Sequence, residues 1–399
     1  MAQTLKFGKG TWATKTGSSM AYNDQNGNYK PLPFNVERDS IATRVNKEGL
    51  IEVVGKDKLR IDYTDSAKGV ALLENSSTNL ITYSEDFSQS VWQKNSVGSA
   101  SAPIIASNFA VSPDGTQNAT RVQFNISGST SSDRSSLESV FALDGSSSYT
   151  LSFYIKSNTG VNQNLSVWLN SVYGNNITVT NEWVRVEQTF SSNSTFNRGF
   201  GLAASGDIQQ SVDVLIFGFQ LEQGNLSSYI PTSGSSVQRQ ADVVSGSGNS
   251  EVFNDSEGVL FFDGSVLATN ENLCISINDG TTSNRVELLW FNDGKFYTQV
   301  GNSGQEFISS DTFNNKILIK YGSGSYDLYV NGFRRITDTY TSLAGLNSLD
   351  FKRQGSYTFK GKTKEIGYYD AVLTDSELKY LTSYRSLNEL VTELNLNTL

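Results

Sequence analysis

Large apolar side chains recur at every second position in short runs through most of this 399-residue chain, and clusters of Ser, Thr, Asn and Gly separate the runs. A period of two places successive side chains on opposite faces of an extended strand, so each run has one face to bury. In Tyr149-Thr150-Leu151-Ser152-Phe153-Tyr154-Ile155-Lys156 the inward set is Tyr149, Leu151, Phe153 and Ile155. Leu165-Ser166-Val167-Trp168-Leu169 follows the same rule, and Val212 to Phe219 is apolar enough for a central strand. Without a long helical stripe to compete, the chain is expected to be all-β, built as two tandem sandwiches. Its size allows two or three domains, with apolar residues for more than one core.

Composition narrows the chemistry. The chain has no histidine, which excludes every mechanism whose base, proton shuttle or metal ligand must be an imidazole. Cys274 is the single cysteine and cannot form an intrachain disulfide; its alternating neighbours Leu273, Ile275 and Ile277 mark it as a strand residue without chemistry. Lys and Arg number 31 against 40 Asp and Glu, and this acidic, thinly spread charge argues against nucleic-acid binding. No run approaches the roughly 20 apolar residues of a membrane span. The start, Met1-Ala2-Gln3-Thr4-Leu5-Lys6, leads into Gly and Thr, so neither a signal peptide nor membrane insertion is expected.

Residues 1–75 read as an extended N-terminal arm. They are thin in apolar residues at first, with turns at Gly8-Lys9-Gly10 and Asp24-Gln25-Asn26-Gly27-Asn28 and a stiff bend at Pro31-Leu32-Pro33-Phe34. A first sandwich spans 76–244. Ser245-Gly246-Ser247-Gly248-Asn249-Ser250 reads as a linker because such a hexamer buries little and loses much entropy on ordering. The second sandwich, 251–399, has strand candidates at Gly258–Phe262, Asn272–Ile277, Arg285–Phe291, Lys295–Val300 and Lys316–Lys320, and a hairpin turning at Asn331-Gly332. Thr374-Asp375-Ser376-Glu377 forms a capping box that starts a short C-terminal helix. A stripe of Leu387, Leu390, Val391 and Leu394 follows, fit to dock on its own domain or to meet copies of itself.

No phosphate-loop or dinucleotide pattern is present, and no cofactor is assigned. Asn270-Glu271-Asn272 and Asn278-Asp279 offer oxygens of the kind calcium takes, but neither matches the twelve-residue calcium loop, so no metal site is assigned. Carboxylates survive the loss of imidazole chemistry, and an Asp/Glu pair suffices for glycoside hydrolysis. Glu287, Asp327 and Glu365 are the local candidates, each better placed as the solvent face of a half-buried strand than as a catalytic group. Sugar recognition needs aromatic faces and short polar side chains in a preformed groove. Trp92, Trp168, Tyr173 and Trp183 in the first sandwich, and Trp290, Tyr297, Tyr326 and Tyr329 in the second, supply the faces. Tyr173, Trp92, Tyr297 and Trp290 are the ligand-binding choices, with no catalytic residue assigned.

Several stretches carry a resemblance. Ile41–Glu52, Arg60-Ile61-Asp62-Tyr63, Gly69–Glu74 and Thr78–Phe87 with Trp92 resemble a segment recurrent in structural proteins of tailed bacteriophages. It continues through Pro113–Thr116, Gln220–Gly224, Ser228–Gly234 and Arg239-Gln240-Ala241-Asp242. This resemblance implies that the middle region is a carbohydrate-binding jelly roll. Tyr329–Gly332, Glu365–Tyr369 and Leu373–Leu378 are similar to the closing hairpin, last strand and helix of concanavalin A-like and laminin-G-like domains. The Glu-x-Asp-x-x-Glu strand of catalytic members of that group has no counterpart at Glu287-Leu288-Leu289. The resemblance therefore implies a non-enzymatic virion protein, a tail fibre, head fibre or decoration made in the host cytoplasm and displayed on the particle surface. Its arm would bind other virion proteins, its sandwiches host-surface glycans, and its copies would associate, a trimer being favoured. The alternatives are a carboxylate-dependent glycoside hydrolase acting on host capsule or lipopolysaccharide, and an adaptor that binds other virion proteins.

Overall fold

The computed structural model describes residues 4–23, 30–144, 146–169, 172–191, 197–267, 271–308 and 314–393. Every named sheet pairing among them is antiparallel, and the two helices, Asp375–Thr382 and Leu387–Glu393, lie near the C-terminus. The chain divides into two compact units, one of residues 1–49, 54–75 and 240–399, the other of 50–53 and 76–239.

In the second unit two five-stranded sheets enclose one core. Their orders are Trp92–Val97, Arg134–Ala142, Asn197–Ser205, Gln163–Leu169, Val172–Val179, and Ile104–Ala110, Ala119–Asn125, Ser211–Gln223, Ser148–Ser157, Val184–Ser191. Tyr149, Leu151, Phe153 and Ile155 all point into this core, as their spacing requires, against Leu165, Val167, Phe200, Leu202, Val214 and Phe219.

The first unit contains a long mixed-length sheet and a separate five-stranded one. The long sheet runs Val243–Ser245, Lys30–Glu37, Ser18–Asn23, Leu5–Gly8, Gly361–Tyr369, Glu257–Val266, Asn314–Gly322, Ser325–Val330, Phe333–Thr339. The five-stranded sheet runs Ser303–Ile308, Lys295–Val300, Arg285–Trp290, Leu273–Asn278, Ser348–Asp350. One core joins them, with Phe7, Phe34, Leu260, Phe262 and Ile366 from the first and Ile275, Val286, Leu288 and Trp290 from the second.

Three readings of the sequence are corrected here. Residues 1–75 are no free arm: Leu5–Gly8 is paired from Leu5↔Tyr368 to Gly8↔Glu365, and Phe7 is 1% exposed. Pro31 and Pro33 make no bend; they lie on the outward side of Lys30–Glu37, whose Leu32, Phe34 and Val36 face the core. The hexamer 245–250 is likewise no linker. Ser245 pairs with Asn35, and Ser247 is fully buried, its Oγ donating to the Leu32 carbonyl at 2.9 Å. Gly248 has φ 90°, and a Cβ there would come within 2.4 Å of the Phe253 ring, so this glycine serves packing rather than flexibility. The turn at 24–28 lies outside the described residues, as does Leu394 of the C-terminal stripe.

The turn and cap signals are present as read. Asn331 and Gly332 have φ 50° and 86°, the positive pair of a type I′ turn. Thr374 accepts from the Glu377 N–H while Glu377 accepts from the Thr374 N–H at 2.8 Å. The first helix then seats Leu378 against Val259, Phe261, Leu318 and Tyr329. Thr374→Ala is expected to cost about 1 kcal/mol in a denaturant titration, the usual worth of such a cap. The second helix is tied to its own unit by Glu389, which pairs with Lys316 at 2.5 Å.

Candidate functional site

The alternation in Arg285–Trp290 sends Val286, Leu288 and Trp290 into the core and leaves Arg285, Glu287 and Leu289 on the outer face of the five-stranded sheet. Antiparallel register extends this face sideways. Glu287 stands opposite Gln299 on one neighbouring strand and Ser276 on the other, and Ser276 in turn stands opposite Asp350. A polar row thus crosses four strands, Gln299–Glu287–Ser276–Asp350. In the next row lie Cys274, Leu289 and Tyr297, also in register. The half-buried Tyr297 ring extends over the adjacent strand, where a Cβ at Gly304 would fall 2.1 Å from its hydroxyl.

A small hairpin, Lys352-Arg353 paired with Ser356–Thr358, lies against this face and forms its own two-stranded sheet. Arg353 Nη2 lies 3.0 Å from Gln299 Oε1 and 3.2 Å from Glu287 Oε2, and Arg285 Nε lies 3.0 Å from the same Glu287 oxygen. The Glu287 side chain is buried, at 2% exposure, and its Oε2 meets these two guanidinium groups without well-aligned hydrogen bonds. Burial pushes its carboxyl above the ordinary range for glutamate, although Arg353 and Arg285 pull the other way. Asp350 is the second carboxylate of the row and accepts from the Gly246 N–H at 2.6 Å, Asn278 Nδ2 at 2.8 Å and Ser348 Oγ at 3.1 Å. Beside the face opens a cavity of about 610 Å³ lined by Glu271, Asn272 and Asn292 and by hairpin residues that include Lys352, Arg353 and Tyr357.

The aromatic choices separate by face. Trp92 and Trp290, 2% and 4% exposed, are core residues: Trp92 packs on Phe87 and Phe219 and donates to the Tyr83 carbonyl, and Trp290 packs on Phe262, Phe296 and Phe359. Neither presents a ring to a sugar. Tyr297 alone of the four belongs to the polar face, and the side chain of Tyr173 lies outside the described residues. Asp327 and Glu365 stand on the long sheet, paired with Lys320 and Lys9 respectively. Arg285, Gln299, Ser276, Asp350 and Arg353 were not anticipated. For Arg285 the signal was present, since it shares the parity of Glu287; Arg353 arrives from a hairpin that no periodicity announces. Among the described residues no group of three or more Asp, Glu or Cys is arranged to hold a metal ion.

A second charged cluster is wholly interior. Asp242 accepts from Arg38 at 2.8 Å, from Arg60, and from the Glu74 N–H at 2.9 Å, and Arg60 also pairs with Glu74 at 2.6 Å. Burial opposes the Arg60 charge, but Asp242 and Glu74 outweigh it and raise its pKa above the ordinary value. Arg60, Glu74 and Asp242 each come from a different one of the stretches on which the bacteriophage resemblance rests.

No family model and no curated protein matches the chain. Among solved structures it is similar to the CBM40 module of the Ruminococcus gnavus IT-sialidase, at 19% identity over 35% of this chain and 94% of that one, with a TM-score of 0.29. It is similar to a leech intramolecular trans-sialidase at 17% identity over 36% of this chain and 26% of that one, with a TM-score of 0.30. For a Trypanosoma rangeli sialidase the identity is 10%, the coverage 91% and 65%, and the TM-score 0.28. The expectation of a non-enzymatic bacteriophage structural protein is corrected at this point. The three structures named are two sialidases and a sialidase module, and the chain holds a buried arginine–carboxylate cluster of Arg38, Arg60, Glu74 and Asp242.

Proposed function

We propose that the chain is a carboxylate-dependent glycoside hydrolase, with Glu287 as its acid and host capsule or lipopolysaccharide as the substrate class. The observation that carries this reading is Glu287 itself: a buried carboxyl of raised pKa on a polar sheet face, beside a cavity of about 610 Å³. A carboxyl that burial makes a weaker acid than an ordinary glutamate can give its proton to the glycosidic oxygen as the C–O bond breaks. Asp350 then takes a proton from the water whose oxygen forms the new bond to the sugar. Both carboxylates stand opposite Ser276, so their strands are two sheet spacings apart, roughly 9.5 Å, which suits an inverting pair with water between. Lys352 and Arg353 on the cavity wall favour an anionic sugar. The finer assignment of the two units as a jelly roll and a concanavalin A-like domain belongs to the same proposal. It is supported by the facing five-stranded sheets of one and the closing hairpin and capped helix of the other.

Reducing-end release from purified bacterial capsule and lipopolysaccharide is the direct test. Product from at least one polymer is expected with the intact chain. Binding without product across such a panel would remove the catalytic assignment.

A further inference from the structure

Glu287 is 1% exposed, so an acid at this position reaches a substrate only if its cover moves. The cover is the hairpin Lys352–Thr358, and its attachment is uneven. At its base Phe351 and Phe359 are fully buried, their rings 5.6 Å apart, and the Phe359 N–H donates to the Phe351 carbonyl at 2.8 Å. Beyond that base the hairpin strands pair with each other and with no strand of the five-stranded sheet. What holds them down is a set of side-chain bonds. Arg353 reaches Gln299 and Glu287, Ser276 Oγ donates to the Lys352 carbonyl at 2.7 Å, and Gln354 Nε2 lies 3.4 Å from both Asn278 and Asp350. The tip is exposed at Gly355 and Ser356, and Tyr357 beside it has φ 46°, a conformation that is costly for a bulky side chain.

We infer that the hairpin Lys352–Thr358 is a lid, hinged at Phe351 and Phe359 and latched by Arg353, whose lifting joins Glu287 to the neighbouring cavity. The inference rests on the catalytic reading of Glu287 for its purpose, but the motion can be measured without any glycan. Elements of this kind belong to the low-stability end of a fold, where opening is local. Cys274 is a built-in reporter: the only thiol of the chain, fully buried, and in register with Leu289 on the face under the hairpin.

The experiment follows Cys274 labelling by 5,5′-dithiobis(2-nitrobenzoate) in the intact native chain over a range of low urea concentrations. Lid opening predicts a slow rate that changes little with urea, since a seven-residue hairpin exposes little surface. Arg353→Gln removes the latch and should raise the rate about tenfold or more, the effect of losing one charge-assisted hydrogen bond. Ser276→Ala, which takes the donor from the Lys352 carbonyl, should raise it by a smaller factor. Wild-type rates in both variants, or labelling that tracks global unfolding in urea, would overturn the lid. Product release that depends on Glu287 together with unchanged labelling would sink the lid and keep the hydrolase. Accelerated labelling with no product from any polymer would do the reverse.

Discussion

Exchanging Glu287 for glutamine is expected to lower glycan cleavage by about 10²–10⁴-fold, the range over which a positioned general acid acts. The amide keeps the volume of the carboxyl and loses only the transferable proton, so substrate binding should change far less than turnover. The pH profile supplies an independent signature. Burial raises the Glu287 pKa, and the acid form is the working form, so the rate should fall as pH rises through that elevated value. E287Q should lack this alkaline limb. Stability carries the same sign: a carboxyl with a folded-state pKa above its unfolded one binds its proton more tightly when folded. Its contribution is fully present below the unfolded pKa and is lost as pH rises toward the folded one. A residual activity in E287Q with the wild-type profile would assign the acid elsewhere.

Asp242→Ala is expected to destabilise the first unit by about 3–5 kcal/mol, the cost of removing one partner from a buried ion pair. The reason lies in what remains. Arg38 and Arg60 have fully buried side chains, and with Asp242 gone both buried charges lose an ion-pair partner. The Glu74 N–H would also lose its acceptor. Denaturant unfolding followed by circular dichroism measures the loss. The double variant Arg38→Met, Asp242→Ala should fall short of the sum of the single changes by about 0.5–3 kcal/mol, because each single change already breaks the shared network. Additive losses would mean that the two side chains act independently.

How much of this could be read from the chain itself depends on what carries the signal. Period two and the capping box are local rules, and they place Leu151, Phe153 and Ile155 in a core and the helix start at Thr374 respectively. The same rule, applied strictly to Arg285–Trp290, puts Trp290 with Val286 and Leu288 and leaves Glu287 with Arg285. That parity excludes Trp290 as a sugar platform. Other features have no local rule. Glycine and serine in 245–250 are equally compatible with a mobile linker and with close packing, and the Phe253 ring that decides the matter is invisible until the fold brings it to Gly248. The strand Leu5–Gly8 is hidden in the same way, since one of its two neighbours lies some 360 positions away. The site itself is assembled by register. Glu287, Ser276 and Asp350 share a row because three strands align, and sequence separation says nothing about that.

That long-range pairing sets a timetable for synthesis. Leu5–Gly8 leaves the ribosome some 350 residues before Gly361–Tyr369, a strand it pairs with. At about 5–20 residues per second Leu5–Gly8 can pair early with Ser18–Asn23 but waits tens of seconds for its other neighbour, leaving Leu5 and Phe7 without the rest of their core. The continuous stretch 76–239 is complete much earlier and can close its own core in the meantime. Truncation before Gly361 would therefore spare that unit and leave the other without the strand that joins Leu5–Gly8 to Glu257–Val266.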